Sequence, residues 1–197
     1  MAFETLWYKT KLPEEMIDLL VRDLKEADVN LDTAQTRGGV DLERRDSRVS
    51  WISENYWVSG LLWHYIMVAN RNFGYDISGW DQGSLQYTSY KPGQYYHWHR
   101  DDGVTTLPSK TGDKAEDFIL DSTSMVRKLS VTVQLSSWED YKGGEVQFID
   151  DSGNTFFAPK ERGTIIVFDS RVKHRCRKVV EGERKSIVGW VVGPRWR

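Results

Sequence analysis

The chain reads His-Trp-His-Arg-Asp at residues 97 to 101, and a further histidine, His174, lies far downstream. His99, Asp101 and one distant imidazole make a set of two nitrogen ligands and one carboxylate. Such a set holds a non-haem Fe(II) on one face and leaves the opposite face open. An isolated His-x-Asp carries little weight, because both residue types are common at strand ends and in turns, where they satisfy ordinary hydrogen bonds. Alternate residues of a strand face one way, so His97, His99 and Asp101 would share a side if one strand ran through all three. Spacing alone leaves both His97 and His99 open as the ligand beside Asp101.

Length and composition limit what surrounds these residues. The 197 residues fit one domain, 1-197, of a size that buries roughly 70% of its unfolded surface. The lone cysteine, Cys176, rules out an intramolecular disulfide and suits a reducing compartment, which would also keep iron ferrous. No early apolar run resembles a signal peptide, and no stretch approaches the roughly 20 apolar residues of a membrane span. A cytoplasmic protein with no membrane partner is expected. The net charge of -2 gives no global basic field for a phosphate backbone, which argues against a nucleic-acid partner. The sequence is silent on oligomeric state.

The first 80 residues read as helical support. Met16, Ile17, Leu20 and Leu24 recur at spacings of three and four behind Pro13, which predicts an amphipathic helix to about residue 26. Residues 31 to 50 are polar and charged and predict a loop with one short strand. A second helix is predicted from Ser53 through Tyr56, Trp57, Leu61, Tyr65, Ile66 and Ala69 to a Gly74 terminus, with His64 as an ordinary helix residue.

From about residue 81 the period changes. Runs rich in Val, Ile, Tyr, Thr and Trp predict strands at 84–90, 94–100, 126–136, 144–149, 163–169 and 186–193. Gly143 and Gly144 are read as a tight turn. The basic run Arg171, Lys173, Arg175, Arg177 and Lys178 is read as a solvated edge strand. Arg184, Ser186, Val188 and Trp190 share one face of the last strand, and Trp190 is too large to leave in solvent. The fold class is therefore α+β, mainly β: a jelly roll over 81–197 buttressed by the N-terminal helices. The long connection from 102 to 125 is expected to close over a substrate.

Tyr90, Gly93, Tyr96, His99 and Asp101 match a Tyr-x-x-Gly-x-x-Tyr-x-x-His-x-Asp pattern. With Arg127 through Ser136, Gly143-Gly144-Glu145, and the closing series His174, Arg184, Ser186 and Trp190, the chain resembles the prolyl 4-hydroxylase-like 2-oxoglutarate and Fe(II)-dependent oxygenases. The likeness is strongest to their bacterial and phage PKHD-type branch and covers roughly residues 84 to 193.

The resemblance implies a double-stranded β-helix and favours His99 over His97. It implies His99, Asp101 and His174 as Fe(II) ligands, and a cosubstrate site for 2-oxoglutarate at Tyr90, Gln134, Arg184, Ser186 and Trp190. The family usually has Lys where Arg184 stands, and related enzymes often have Tyr at Gln134. Tyr96, Trp98 and Arg127 are candidate substrate contacts. The implied cofactors are Fe(II), 2-oxoglutarate and O2, with ascorbate as reductant. The implied reaction hydroxylates a prolyl residue in a peptide or protein partner while 2-oxoglutarate becomes succinate. Three other readings remain. A nucleic-acid demethylase is disfavoured because no Asn-x-Thr-x-Arg run follows His174. A hydroxylase of a free amino acid or small molecule, and a non-enzymatic cupin-like binding module, stay open.

Overall fold

The computed structural model describes residues 6–9, 12–25, 28, 30–36, 39–102, 104–105, 125–150 and 152–196. The elements in chain order are β1 (Leu6–Lys9), α1 (Glu14–Asp23), β2 (Asp32–Thr33), β3 (Arg45–Asp46), β4 (Arg48–Ser53), α2 (Trp57–Phe73), β5 (Gly79–Tyr90) and β6 (Tyr95–His99). They continue as β7 (Val104–Thr105), β8 (Met125–Gln134), β9 (Tyr141–Gly143), β10 (Val146–Ile149), β11 (Thr155–Phe157) and β12 (Ile165–Asp169). The last three are β13 (Lys173–Cys176), β14 (Val179–Gly182) and β15 (Arg184–Pro194).

Among the described residues the strands form two main antiparallel sheets. The major sheet runs β1-β12-β8-β15-β5-β4-β2, with β7 also on β8, and the minor sheet runs β11-β10-β13-β6-β3. A short β14-β9 pair stands apart. One face of the major sheet is apolar. Leu85, Tyr87, Leu129, Val131, Val133, Ile165, Val167, Ile187 and Val191 pack there with Ile17 and Leu20 of α1 and Val58, Leu62, Ile66 and Ala69 of α2. The helices thus cover that face, as their apolar periodicity predicts. The opposite face carries Gln86, Thr88 and Tyr90 of β5, Ser130, Thr132 and Gln134 of β8, and Ser186 and Trp190 of β15, all buried. A strand offers alternate residues to opposite faces, so the same three strands supply both a core and a polar interior.

The structure departs from the sequence expectations in three places. Ser53 ends β4 rather than starting a helix, and α2 begins at Trp57. The segment read as a loop with one short strand holds β2, β3 and the first half of β4, whose residues pair in register with β5. The basic run is not an edge: β13 lies between β10 and β6, Arg175 donates to Gln147 at 2.8 Å, and Arg177 pairs with Glu145. The expected lid over 102–125 lies outside the described residues except at its ends and at β7.

Gly189 shows how tightly the central strands meet the core. A Cβ there would stand 2.5 Å from Leu85 Cδ2 and 2.8 Å from Trp80 Cζ3. Gly189→Ala is expected to cost about 1–3 kcal/mol by overpacking, read as a lower midpoint in denaturant; an unchanged midpoint would show that Trp80 and Leu85 repack freely.

Candidate metal and anion site

The site lies between the polar face of the major sheet and the inner face of the minor sheet. His174 of β13 and His99 of β6 are direct cross-strand partners. Two residues on β13 span three on β6, since Cys176 is opposite Tyr96, and this bulge breaks the simple alternation. Tyr96 and His99 consequently face the same way, their rings stacked 3.5 Å apart at 12°. His97, which alternation had placed beside His99, is exposed and packs on Tyr95 at 4.8 Å.

His99, Asp101 and His174 are all buried and offer ligand atoms within 4.8 Å of one another. Asp101 Oδ1 is 3.6 Å from His99 Nε2, and Oδ2 is 3.5 Å from His174 Nε2. His99 Nδ1 faces the His97 carbonyl at 2.7 Å, and His174 Nδ1 faces the Val172 carbonyl at 3.0 Å. A carbonyl oxygen only accepts, so each Nδ1 carries the hydrogen and each Nε2 turns a lone pair toward Asp101.

Burial, then the facing His174, lowers the pKa of His99 to about 3 and keeps its imidazole neutral. For Asp101 burial pushes upward, but His174 and His99 in their charged forms, Arg127 and a hydrogen bond from Ser130 outweigh it and lower its pKa to about 2, so the carboxyl is ionised. Ser130 Oγ donates to Asp101 Oδ2 at 2.8 Å and lies 3.0 Å from Ser170 Oγ. Two lone pairs and a carboxylate converging in a buried spot fit a divalent cation. The two carboxylate–imidazole separations, 3.6 and 3.5 Å, leave these atoms near enough to share one ion.

The same cavity, with an empty volume of ≈ 530 Å³, is also walled by Tyr90, Tyr96, Arg184, Ser186 and Trp190. Arg184 is 3% exposed and has no ion-pair partner among the described residues. Its guanidinium donates to Gln134 Oε1 at 2.8 Å and Ser186 Oγ at 3.3 Å, and it is hydrogen-bonded to Tyr141. Burial lowers the pKa of Arg184, but Cys176, Tyr141 and Tyr90 raise it by more, so the charge persists. Burial pushes the Tyr90 phenol up to about 12, leaving it a neutral donor. The Gly143-Gly144 turn has a second use. A Cβ on Gly144 would lie 2.9 Å from Val179 Cγ2 and 3.2 Å from Arg184 Cδ, so glycine leaves room for the arginine.

The structure brings His99, Asp101, His174, Tyr90, Arg184, Ser186, Trp190 and Tyr96 into one cavity. Gln134 sits behind Arg184 and holds it. Trp98 points away from His99, as the next residue on the strand, and lies under Arg175 at 4.6 Å, outside the cavity wall. Arg127 is not in the wall either: it pairs with Asp81 at 2.6 Å and covers Trp190 at 4.2 Å. Sequence reasoning missed Arg45, a second buried cation in the wall, which donates to Ser47 at 2.9 Å and Gln86 at 2.7 Å. It lay inside a charged run that reads as solvated loop. Ser130 and Thr132 were missed as well, although polar residues alternating with Val131 and Val133 offered a signal.

Comparison with known proteins agrees with this geometry. The family model of the 2OG-Fe(II) oxygenase superfamily matches residues 85–192, and the chain belongs to that family. It is similar to a PKHD-type hydroxylase of Parvibaculum lavamentivorans, with 35% identity over 63 residues, which are 32% of this chain and 28% of that protein. Matches to the curated relatives span from 28% to 42% of their lengths, less than half. Among solved structures, a Pseudomonas putida prolyl-4-hydroxylase superposes with a TM-score of 0.71 at 18% identity, covering 98% of this chain and 94% of that one. A Trichoplax adhaerens prolyl hydroxylase, in complex with a peptide fragment of the hypoxia inducible factor oxygen degradation domain, superposes at 0.66 with 15% identity, covering 96% and 84%. At these identities the likeness is one of fold, the double-stranded β-helix.

The ligand geometry gives a direct test. His99→Ala and Asp101→Ala are expected to abolish Fe(II) binding in anaerobic titration while circular dichroism stays native, and His97→Ala is expected to bind normally. Equal loss in His97→Ala would assign the wrong histidine.

Proposed function

We propose that the chain is an Fe(II)- and 2-oxoglutarate-dependent dioxygenase that hydroxylates a prolyl residue in a peptide or protein. The observation that carries this reading is one cavity holding both the His99–Asp101–His174 cluster and Arg184, a buried cation without an acid partner among the described residues. The family membership supports Fe(II), 2-oxoglutarate and O2 as the reactants. Together these supply an oxidant strong enough to place one oxygen atom in an unactivated C–H bond as 2-oxoglutarate becomes succinate and CO2.

The chain's own residues bind and position. His99, Asp101 and His174 would hold the metal through two neutral nitrogens and one carboxylate, leaving three positions for other ligands. Ser130 fixes the Asp101 carboxylate, and the carbonyls of His97 and Val172 fix the two imidazoles with Nε2 inward. Arg184, kept charged in a dry pocket, would pair with the far carboxylate of 2-oxoglutarate, and the neutral Tyr90 phenol would donate to it. Gln134 and Ser186 set the angle of the guanidinium, and Trp190 closes the wall and excludes water.

A peptide or protein target is supported by the similar prolyl hydroxylases, one of them in complex with a peptide fragment. No helix among the described residues is long and apolar enough to cross a membrane. A reducing, cytoplasmic setting would keep Cys176 free and the iron ferrous, with ascorbate as reductant.

Incubating the protein with Fe(II), ascorbate, 2-oxoglutarate and Pro-containing peptides is expected to yield succinate and a peptide gaining one oxygen by mass spectrometry. Absence of any turnover, coupled or uncoupled, would favour a binding module. Arg184→Lys and Arg184→Ala are expected to raise the 2-oxoglutarate requirement in that order, about tenfold or more for Ala, without loss of iron; unchanged affinity would remove Arg184 from the cosubstrate site.

A further inference from the structure

The basic run and Trp98, which the cavity does not use, meet on the outer face of the minor sheet. Phe157 of β11, Gln147 of β10 and Arg175 of β13 are successive cross-strand partners, so their side chains stand in one row. Arg175 donates to Gln147 at 2.8 Å and lies over the Trp98 ring of β6 at 4.6 Å, which carries the row across the sheet. Beside it, Arg177 lies 5.7 Å over Phe157, and Lys178 lies 5.4 Å over Tyr95. Three rings on this face thus have a cation seated on them. Phe157 is 52% exposed, and Lys173, Arg177 and Lys178 are exposed as well.

Charge on an edge strand keeps other chains from pairing with it. β13 lies between β10 and β6, so its cations have no such use. Among the described residues Arg177 pairs with Glu145 at 3.6 Å, while Lys173, Arg175 and Lys178 have no ion pair. Asp46, opposite Tyr95, is hydrogen-bonded by Gln94. The face is therefore positive on a chain whose net charge is -2. Rings and guanidiniums held against one another lose little freedom when a partner covers them, and arginine and aromatic side chains are enriched in protein interfaces. A nucleic-acid strand would ask for a longer track of cations without Glu145 and Asp46 among them.

We propose that the outer face of β13, with Trp98 and Tyr95 of β6 and Phe157 of β11, is a docking surface for an acidic stretch of a partner polypeptide. Carboxylates of the partner answer the unpaired cations, and its apolar groups cover Phe157. The surface is on the far side of the minor sheet from the cavity and needs neither metal nor cosubstrate. On the function proposed above, the partner would be the protein substrate, held at a second point.

The test is fluorescence anisotropy of a labelled deca-glutamate peptide with the whole chain at low salt, with no metal or cosubstrate added. Wild-type protein is expected to bind it, with an affinity that falls as salt screens the charges. Lys173→Glu combined with Lys178→Glu is expected to weaken binding about tenfold or more while circular dichroism stays native. Trp98→Ala, which removes the ring under Arg175 but no charge, is expected to weaken it about threefold. A matched control, Arg22→Glu with Arg71→Glu on the exposed sides of α1 and α2, is expected to bind as wild type. No binding by wild type, unchanged affinity in either face variant, or equal loss in the control would each overturn the inference. Tighter binding of an oligothymidylate of the same length would assign the face to single-stranded nucleic acid and also overturn it. No turnover is read, so a failure here leaves the hydroxylase reading standing, and a failure of that reading leaves this result unaffected.

Discussion

Three buried acceptors pointing at one another are the constraint around which the structure is built. The Asp101 carboxylate faces two imidazole nitrogens whose hydrogens are committed elsewhere, to the carbonyls of His97 and Val172. An ionised carboxylate out of water costs several kcal/mol unless paired and hydrogen-bonded. Ser130 supplies one bond and the nearby Arg127 a favourable charge, and on the proposed function a cation among the three would supply the rest. Such a cluster must be held by elements that cannot relax outward. The fold meets this by placing His174 on a strand with neighbours on both sides, and by seating His99 directly across from it.

The major sheet does the remaining positioning because it is buried on both faces. Residues 129, 131 and 133 of β8 pack into the helix-covered core, while 130, 132 and 134 face the cavity. Apolar burial by the odd positions supplies the stability, at about 25 cal/mol for each Å² removed from water. The even positions are thereby held in place for polar work. The arrangement repeats on β15, where Ile187 and Val191 anchor the strand and Arg184, Ser186 and Trp190 line the site. A defect in helix packing would therefore be felt at the guanidinium as well as in the core.

Much of this was legible in the sequence, and the failures have identifiable causes. The apolar periods of α1 and α2 and the β-branched runs placed both helices and most long strands. Short strands escaped: β1, β9, β11 and β14 have three or four residues of weak pattern and exist because a neighbour pairs with them. The basic run was misread because charge on a strand suggests solvent or an edge, whereas Arg175 and Arg177 cover the outer face of a central strand through Trp98, Gln147 and Glu145. The polar alternation in β8 was passed over for a related reason. A period of two with polar members ordinarily means one wet face, and only the second sheet, packed across it, turns that face into an interior.

The charges inside the cavity follow from the same enclosure. Asp101 contributes one negative charge, while Arg184 and Arg45 contribute two positive charges, each guanidinium held by neutral oxygens rather than by an acid. A divalent ion among His99, Asp101 and His174 makes the excess larger. Low dielectric strengthens these fields compared with water. A neutral ligand entering the cavity would leave both guanidiniums desolvated and uncompensated, whereas on the proposed function a dicarboxylate would answer the metal at one end and Arg184 at the other. On that reading a preference for an anionic ligand would be set by neutral partners such as Gln134, Gln86, Ser47 and Ser186, which orient each arginine without cancelling its charge.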